Sequence, residues 1–270
     1  MQTIKIKAKK HILGDFVLTR EDMFPEFNFS SNINVLDEKE VEAVKELVLT
    51  DKDNWENLIQ EGNYKLSADT QRYSVMYEKL IKSMESHLGE TVKLKTSLDF
   101  FLFDKFNSRW EKEPSGFIHN DWANYSKCMH EFAKNEDIDS YNPSNAIALV
   151  LSVELPECGS GIELYDAFHG EKDVKGKALL NMRANKEYSL REYEKGGATL
   201  FCPFQFHSGH CADEGTLKET DMRIVLVAFL IKYESNTRNE WHAFRMCKGA
   251  TLEYGDEELY GLPADILADR

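Results

Sequence analysis

A series of short apolar segments between residues 98 and 231 constrains the fold more than any other feature of the sequence. The segments are rich in β-branched and aromatic residues and are mostly bounded by polar or turn residues. They comprise 98–103 (LDFFLF), 146–153 (AIALVLSV), 161–165 (GIELY), 198–201 (ATLF) and 223–231 (RIVLVAFLI). Such segments predict β-strands. Because no helical pattern of comparable length separates them, we expect an antiparallel sandwich or barrel.

Residues 1–94 predict helices instead. After Leu36-Asp37, one apolar stripe with helical spacing comprises Val41, Val44, Leu47 and Val48. A second stripe predicts a helix from Ser67, a candidate N-cap, to Leu88, with Gly89 as its stop. The second stripe comprises Tyr73, Met76, Leu80, Ile81 and Met84. We expect both stripes to pack into the core. Since the helices precede the strands, they are predicted to cover one face of a mainly β fold.

The chain predicts a single domain over residues 1–270. Its 270 residues are 42% hydrophobic and 11% aromatic, which is enough apolar surface for a sizeable core. No Pro/Gly/Ser-rich linker and no internal repeat divides it. Within this domain we expect a helical N-terminal support (1–94), a β core (95–232) and a C-terminal extension (233–270).

Charge and cysteine usage narrow the classes of partner and compartment. The net charge of −14 argues against a nucleic-acid partner. The longest apolar run, 224–231, is much shorter than the roughly 20 residues that span a bilayer, and the N-terminus lacks a signal-peptide pattern. Five cysteines without a C-x-x-C pair indicate a reducing, cytoplasmic location. The sequence does not indicate an oligomeric state.

Two residues in the stretch 116–122 (GFIHNDW) are candidate metal ligands. His119 and Asp121 are two positions apart, so on an extended segment both side chains leave the same face and can meet one ion. The pattern alone is not specific, because a second H-x-[DE] occurs at His169-Gly170-Glu171. That copy lies in a polar stretch and is expected to be an exposed turn.

Candidates for a third metal ligand and for an anion-binding residue lie farther along the chain. The segment 200–210 contains His207 and His210, and Arg223 opens the most apolar strand. An arginine there is unfavourable unless its charge meets an anion, and a guanidinium can hold a carboxylate with two hydrogen bonds. Two histidines and one carboxylate are the ligand set of non-haem iron(II) oxygenases.

Three stretches resemble the 2-oxoglutarate/Fe(II) dioxygenase superfamily, especially its prolyl-hydroxylase-like and phytanoyl-hydroxylase-like branches. They are 119–121 (HND), 206–209 (FHSG) and 223–226 (RIVL), and looser matches occur at 158–164 (CGSGIEL) and 196–201 (GGATLF). The resemblance covers about residues 95–232. It implies a double-stranded β-helix, a cupin-like jelly roll, with an iron site inside the mouth of the barrel.

The resemblance also implies roles for single residues. His119, Asp121 and His207 would hold Fe(II), Arg223 would bind the distal carboxylate of 2-oxoglutarate, and O2 would take the remaining position. Asn107 is a candidate second contact for the cosubstrate.

The sequence departs from the family in one spacing: Arg223 follows His207 by 16 residues, which is longer than usual for the family, and follows His210 by 13. The local sequence FHSG favours His207, with 213–221 as a tolerated surface insertion.

The expected function is oxidation of an unactivated C–H bond by hydroxylation, desaturation or oxidative cyclisation, since Asp121 occupies the position where family halogenases carry a small residue. The expected substrate is a small molecule, for example in natural-product biosynthesis, and a protein side chain is the alternative. A zinc-dependent hydrolase leaves Arg223 unexplained, and a non-catalytic jelly-roll module leaves the intact residue set unexplained.

Residues near these motifs have simpler interpretations. Trp122 and Asn124 could line a substrate pocket or only pack, and Glu163 is expected to face solvent. Trp241, His242 and Arg245 could close over the barrel mouth, although a structural tail is the preferred interpretation. Arg109 and Arg245 are the alternative cations for the cosubstrate.

Overall fold

The computed structural model describes residues 30–57, 63–104, 118–121, 146–168, 176–211, 218, 220–234 and 239–245. In these ranges the chain is mainly β-sheet with few helices. The helices are α1 (Glu38–Thr50), α2 (Ser74–Leu88) and α3 (Gly176–Ala184), and a 3-10 turn covers Lys52–Asn54. The strands are β1 (Ser30–Asn34), β2 (Glu56–Asn57), β3 (Asn63–Ser67), β4 (Thr91–Leu94), β5 (Asp99–Asp104), β6 (Ala146–Glu154), β7 (Ser160–Phe168), β8 (Tyr188–Glu192), β9 (Gly197–Phe201), β10 (Gln205–Cys211), β11 (Met222–Glu234) and β12 (Asn239–Phe244). No described helix is both long and apolar enough to cross a membrane.

Helix α1 begins at a capping box. The Asp37 side chain accepts a hydrogen bond from the backbone N–H of Glu40, and the Glu40 side chain accepts one from the N–H of Asp37 (both 2.9 Å). These two bonds satisfy amide groups that have no partner within the helix. The buried face of α1 comprises Val41, Val44 and Val48, as the stripe after Leu36-Asp37 predicts, and it packs against β6.

Helix α2 ends where the sequence predicts but begins later. Gly89 adopts a left-handed conformation (φ 70°) and ends the helix, as predicted. The predicted N-cap at Ser67 is wrong, because Ser67 is the last residue of β3 and pairs with Asp99 of β5. A turn follows in which the Asp69 carboxylate accepts hydrogen bonds from two backbone N–H groups, and the helix begins only at Ser74.

The strands form two sheets. The larger one has nine strands in the order β1-β9-β6-β11-β5-β3-β2, with β12 pairing β11 and β4, and the smaller one has the order β10-β7-β8. All pairs are antiparallel except β12–β4. A strand lies in each of the five apolar segments named above, as predicted, and β5 begins one residue after the start of the first segment. The expectation of a helical N-terminal support over 1–94 is wrong in part, because β1, β2, β3 and β4 lie there beside α1 and α2.

The apolar residues of β11 contribute to two cores. Ile224, Leu226 and Leu230 belong to the core beneath α1 and α2, whereas Val225 and Phe229 belong to a core shared with Ile162 and Leu164 of the smaller sheet. Alternate side chains of a strand leave opposite faces, so a strand buried on both sides reads as a continuous apolar run. The space between the two sheets is therefore bounded by Val225 and Phe229, and Arg223 lies on the same face of β11.

Candidate metal and cosubstrate site

Residues 118–121 lie along β10 and are held there by backbone hydrogen bonds. The N–H of His119 donates to the carbonyl of His207 (2.9 Å), and the N–H of His207 donates to the carbonyl of His119 (2.7 Å). Two residues farther on, the N–H of Asp121 donates to the carbonyl of Pro203 (2.7 Å). This pairing places His119 directly opposite His207, with Asp121 next to both.

The structure brings together the three side chains that the sequence singled out. One ligand atom from each of His119, Asp121 and His207 lies within 4.8 Å of the other two. The Asp121 carboxylate is 4.0 Å from Nε2 of His119 and 3.5 Å from Nε2 of His207. Two imidazole nitrogens and one carboxylate oxygen therefore converge on one point, an arrangement that can hold a divalent metal ion.

Burial sets the charge states at this point. It lowers the pKa of His207 to about 4, although the carbonyl of Gln205 opposes the change, so the imidazole is neutral at neutral pH. Because a carbonyl only accepts, Nδ1 of His207 donates to Gln205 (2.8 Å) and Nε2 carries the lone pair toward Asp121. Burial also raises the pKa of Asp121 to about 6, against the effect of His119.

His210 lies on the other face of β10. An odd number of positions separates it from His207, so the two imidazoles leave opposite faces of the strand. Nδ1 of His210 is 3.0 Å from Oε1 of Glu163. Glu163 itself is 2% exposed, so the expectation that it faces solvent is wrong. The structure thus brings His207, and not His210, to His119 and Asp121.

Arg223 lies between the sheets, where its charged group contacts two aromatic rings. The residue is buried, and its guanidinium carbon is 5.1 Å from the ring centre of Phe103 and 5.3 Å from that of Tyr193. These distances are those of cation–π contacts. Arg223 is therefore a buried cation in the inter-sheet space, consistent with the position that the sequence predicts for it.

Tyr193 is a residue of this region that the sequence did not single out. It lies in the loop between β8 and β9, and its N–H donates to the carbonyl of Ser160 (2.9 Å). Burial raises the pKa of its phenol, while the charge of Arg223 lowers it and that of Asp121 raises it. Tyr193 is thus within electrostatic reach of both groups. No local pattern distinguishes it from the chain's other tyrosines, so only the fold could identify it.

Several residues named from the sequence lie outside the described ranges or elsewhere in the fold. Asn107, Arg109, Trp122, Asn124 and the stretch 169–171 are outside the described residues. The C-terminal residues have structural contacts: Trp241 donates to Glu90 (2.8 Å), the buried His242 pairs with Glu240 (2.8 Å), and the backbone N–H of Arg245 donates to Thr96 (2.8 Å). These contacts favour the interpretation of residues 241–245 as a structural part of the sheet.

Comparison with solved structures aligns this chain with several proteins. The non-haem α-ketoglutarate (2-oxoglutarate) dependent carbocyclase SnoK from nogalamycin biosynthesis aligns with a TM-score of 0.50 and 11% identity over 80% of this chain and 87% of its own. AviO1 from Streptomyces viridochromogenes Tue57 aligns with a TM-score of 0.48 and 14% identity, over 77% and 91% of the two chains. HygX from Streptomyces hygroscopicus, with nickel and 2-oxoglutarate bound, aligns with a TM-score of 0.45 and 14% identity, over 79% and 87%.

No protein-family model and no curated protein sequence matches this chain significantly. The similarity therefore rests on three-dimensional structure, and at 11% identity it concerns the fold alone. At that level the predicted resemblance to 2-oxoglutarate-dependent oxygenases is confirmed. Over most of its length, this chain shares the fold of a non-haem 2-oxoglutarate-dependent enzyme, the carbocyclase SnoK.

Proposed function

We propose that this chain is an iron(II)- and 2-oxoglutarate-dependent oxygenase. The convergence of His119, Asp121 and His207 carries the proposal, because their donor atoms lie within 4.8 Å of one another on paired backbone segments. The position of Arg223 in the inter-sheet space supports it, since a metal site alone does not require a buried guanidinium. The fold shared with the carbocyclase is a third, independent support.

The three side chains fit an iron(II) ion. Two imidazole nitrogens and one carboxylate on one side of an ion leave coordination positions open on the other. The Gln205 carbonyl keeps the His207 proton on Nδ1, which leaves Nε2 to bind the metal. A cation would also stabilise the charged form of the buried Asp121. When bound, iron together with 2-oxoglutarate and O2 supplies the oxidising chemistry.

In this proposal Arg223 binds the distal carboxylate of 2-oxoglutarate. Its planar guanidinium offers two parallel N–H donors, and burial strengthens a charged pair relative to the same pair in water. Phe103 and Tyr193 restrict where the guanidinium can lie. Tyr193, whose ring contacts the Arg223 guanidinium, is a further candidate contact, and Asn107 is retained as the candidate second contact from the sequence. The chain thereby orients the cosubstrate before reaction.

The proposed fold is a double-stranded β-helix in which the two sheets enclose the site. Within residues 1–94 the helices α1 and α2 support the core of residues 95–232, and residues 233–270 extend that core. The proposed substrate is a small molecule, and hydroxylation, desaturation or oxidative cyclisation of an unactivated C–H bond is the proposed reaction. The shared fold of the carbocyclase SnoK from nogalamycin biosynthesis supports this proposal. A protein side chain is the second candidate substrate.

A cytoplasmic location is also proposed. The five cysteines form no C-x-x-C pair, which suits a reducing compartment. No membrane or nucleic-acid partner is proposed, since the net charge of −14 is unfavourable for phosphate-rich surfaces.

The decisive experiment combines metal binding with cosubstrate turnover. Metal-free protein is titrated anaerobically with Fe(II) and then 2-oxoglutarate, and succinate is measured after O2 is admitted. We expect one Fe(II) per chain, a weak visible charge-transfer band and slow succinate formation, none of which an Asp121→Ala variant should show. Tight zinc binding without succinate would favour a hydrolase. Iron binding without succinate formation would favour a non-catalytic module that has kept the metal site.

A further inference from the structure

A second polar cluster lies directly behind the strand that carries His207. It consists of Glu163, Tyr165, Arg183, Ser208 and His210, which we call the Glu163 cluster. Glu163 is 2% exposed, and Tyr165 and Ser208 are fully buried. Buried polar groups are unfavourable unless they are hydrogen-bonded, and a buried network is stable only when its members have partners.

The Glu163 carboxylate is the centre of this cluster. Its Oε2 accepts hydrogen bonds from the hydroxyls of Tyr165 (2.5 Å) and Ser208 (2.7 Å) and lies 3.4 Å from Nε of Arg183. Its Oε1 pairs with Nδ1 of His210 at 3.0 Å. Burial alone would raise the pKa of Glu163, but these hydrogen bonds outweigh burial and hold the pKa below its usual range. The carboxylate is therefore ionised and firmly held.

The cluster joins three elements. Glu163 and Tyr165 lie on β7, Ser208 and His210 lie on β10, and Arg183 belongs to α3, from which its guanidinium also donates to Tyr165 (3.0 Å) and Ser208 (2.6 Å). Ser208 and Glu163 are a cross-strand pair, and His207 and Leu164 are the pair next to it. The cluster thus contacts the face of β10 that points away from the candidate metal site. His207, next to Ser208 in the chain, leaves the opposite face, toward the site.

The strand pairing is irregular just before His207. Gln205 pairs with Phe168 and His207 pairs with Leu164, so two positions along β10 correspond to four along β7. At this irregularity the Gln205 side chain donates to the carbonyl of Tyr165 (2.9 Å), and the Gln205 carbonyl accepts from His207. A slip of one residue would turn every following side chain to the opposite face. The ladder that precedes His207 therefore does not by itself decide which residue meets His119.

We infer that Glu163 is a positioning residue for the metal site: its cluster fixes the register of β10 beyond the irregularity and so directs His207 toward His119 and Asp121. This inference rests on the proposed function, because it concerns the metal site proposed above. A purely structural Glu163 would change only the free energy of unfolding. A positioning residue changes, in addition, the affinity and the coordination geometry of a bound ion in the folded protein.

Cobalt(II) binding to the full-length, metal-free protein separates these roles. The affinity is measured by anaerobic calorimetry and the geometry by the visible d–d spectrum, at a temperature where urea unfolding shows each variant to be folded. In Glu163→Gln we expect the Kd for Co(II) to rise about tenfold, the lower end of the range for residues that orient metal ligands, together with an altered spectrum. Ser208→Ala, which removes one hydroxyl, should shift both in the same direction by less.

Glu240→Gln is the matched control. Glu240 is also a buried carboxylate that pairs with a histidine, His242 (2.8 Å), and with a cation, Lys93 (2.6 Å), but it lies on β12 of the larger sheet. This variant should lose stability and keep the wild-type Kd and spectrum.

Wild-type Kd and spectrum in Glu163→Gln would overturn the inference. If Glu163→Gln does not fold, Ser208→Ala decides in the same way. Equal effects in Glu240→Gln and Glu163→Gln would also overturn it, since a general loss of stability would then explain both. If the wild-type protein binds no Co(II), the proposed function fails first and the inference fails with it.

Discussion

His119 and His207 lie directly opposite each other, and each donates its backbone N–H to the carbonyl of the other. Their ring centres are 4.4 Å apart, although the residues are 88 positions apart in the chain. Directly opposed residues of an antiparallel pair place their side chains on the same face. Backbone pairing, and not side-chain packing alone, therefore sets the separation of the two imidazoles.

The two histidines of β10 should differ sharply when substituted. His207→Ala should abolish Fe(II) binding, because it removes one of three converging donors. His210→Ala should retain most of the binding and destabilise the fold by about 1–2 kcal/mol, since a buried Glu163 oxygen loses its partner. Calorimetric metal titration and urea unfolding measure the two effects. The reverse pattern would assign the ligand role to His210.

Substitution of Arg223 should weaken cosubstrate binding while iron binding survives. Arg223→Lys keeps the charge and loses the paired donors, so the 2-oxoglutarate concentration for half-maximal succinate formation should rise. Arg223→Ala should raise this concentration further. The loss should correspond to up to several kcal/mol of binding free energy, as for one partner removed from a buried pair. Arg191→Ala, at an exposed arginine of β8, is the control. An unchanged value in Arg223→Ala would direct attention to Arg109 and Arg245.

Tyr193 should contribute through both its ring and its hydroxyl. Tyr193→Phe keeps the ring next to Arg223 and removes the phenol, so we expect a smaller rise in half-saturating 2-oxoglutarate than in Arg223→Lys. Tyr193→Ala should have a larger effect, because the contact with the guanidinium is lost as well. Steady-state succinate assays and Fe(II) titration measure the two properties. Wild-type values in both variants would restrict Tyr193 to a packing role.

The Glu240 carboxylate should make the folding stability depend on acid pH. Burial would raise its pKa, but hydrogen bonds from Lys93 and His242 outweigh burial and hold the pKa at about 2. This pKa is below the value in the unfolded chain, near 4.3. The ionised carboxylate therefore contributes its full share to the free energy of unfolding above roughly pH 5, and this contribution is lost as the pH falls toward 2. Urea unfolding should show that the free energy of unfolding of the wild type exceeds that of Glu240→Gln by on the order of 2 kcal/mol at neutral pH. A difference that is independent of pH between 2 and 7 would contradict this assignment.

Secondary-structure elements whose residue pattern is local in the chain could be predicted from the sequence. The strand β11 follows from the apolar run of residues 224–231 after Arg223, and α1 follows from Asp37 and a stripe of valines. The start of α2 could not be predicted in this way. Ser67 is a suitable N-cap, but its pairing with Asp99 of β5 commits it to a strand, and that pairing is not visible in the local sequence.

The candidate site shows the same division. The sequence determined which side chains have the chemistry to bind iron and a dicarboxylate, because donor type and spacing are local properties of His119, Asp121 and Arg223. The local sequence FHSG favoured His207 over His210, but only the tertiary structure decided that His207 meets His119, that Glu163 is buried behind it, and that Tyr193 lies beside Arg223. The physical reason is that strand register selects the face on which each side chain emerges, and register is set by pairing between segments that are distant in the chain.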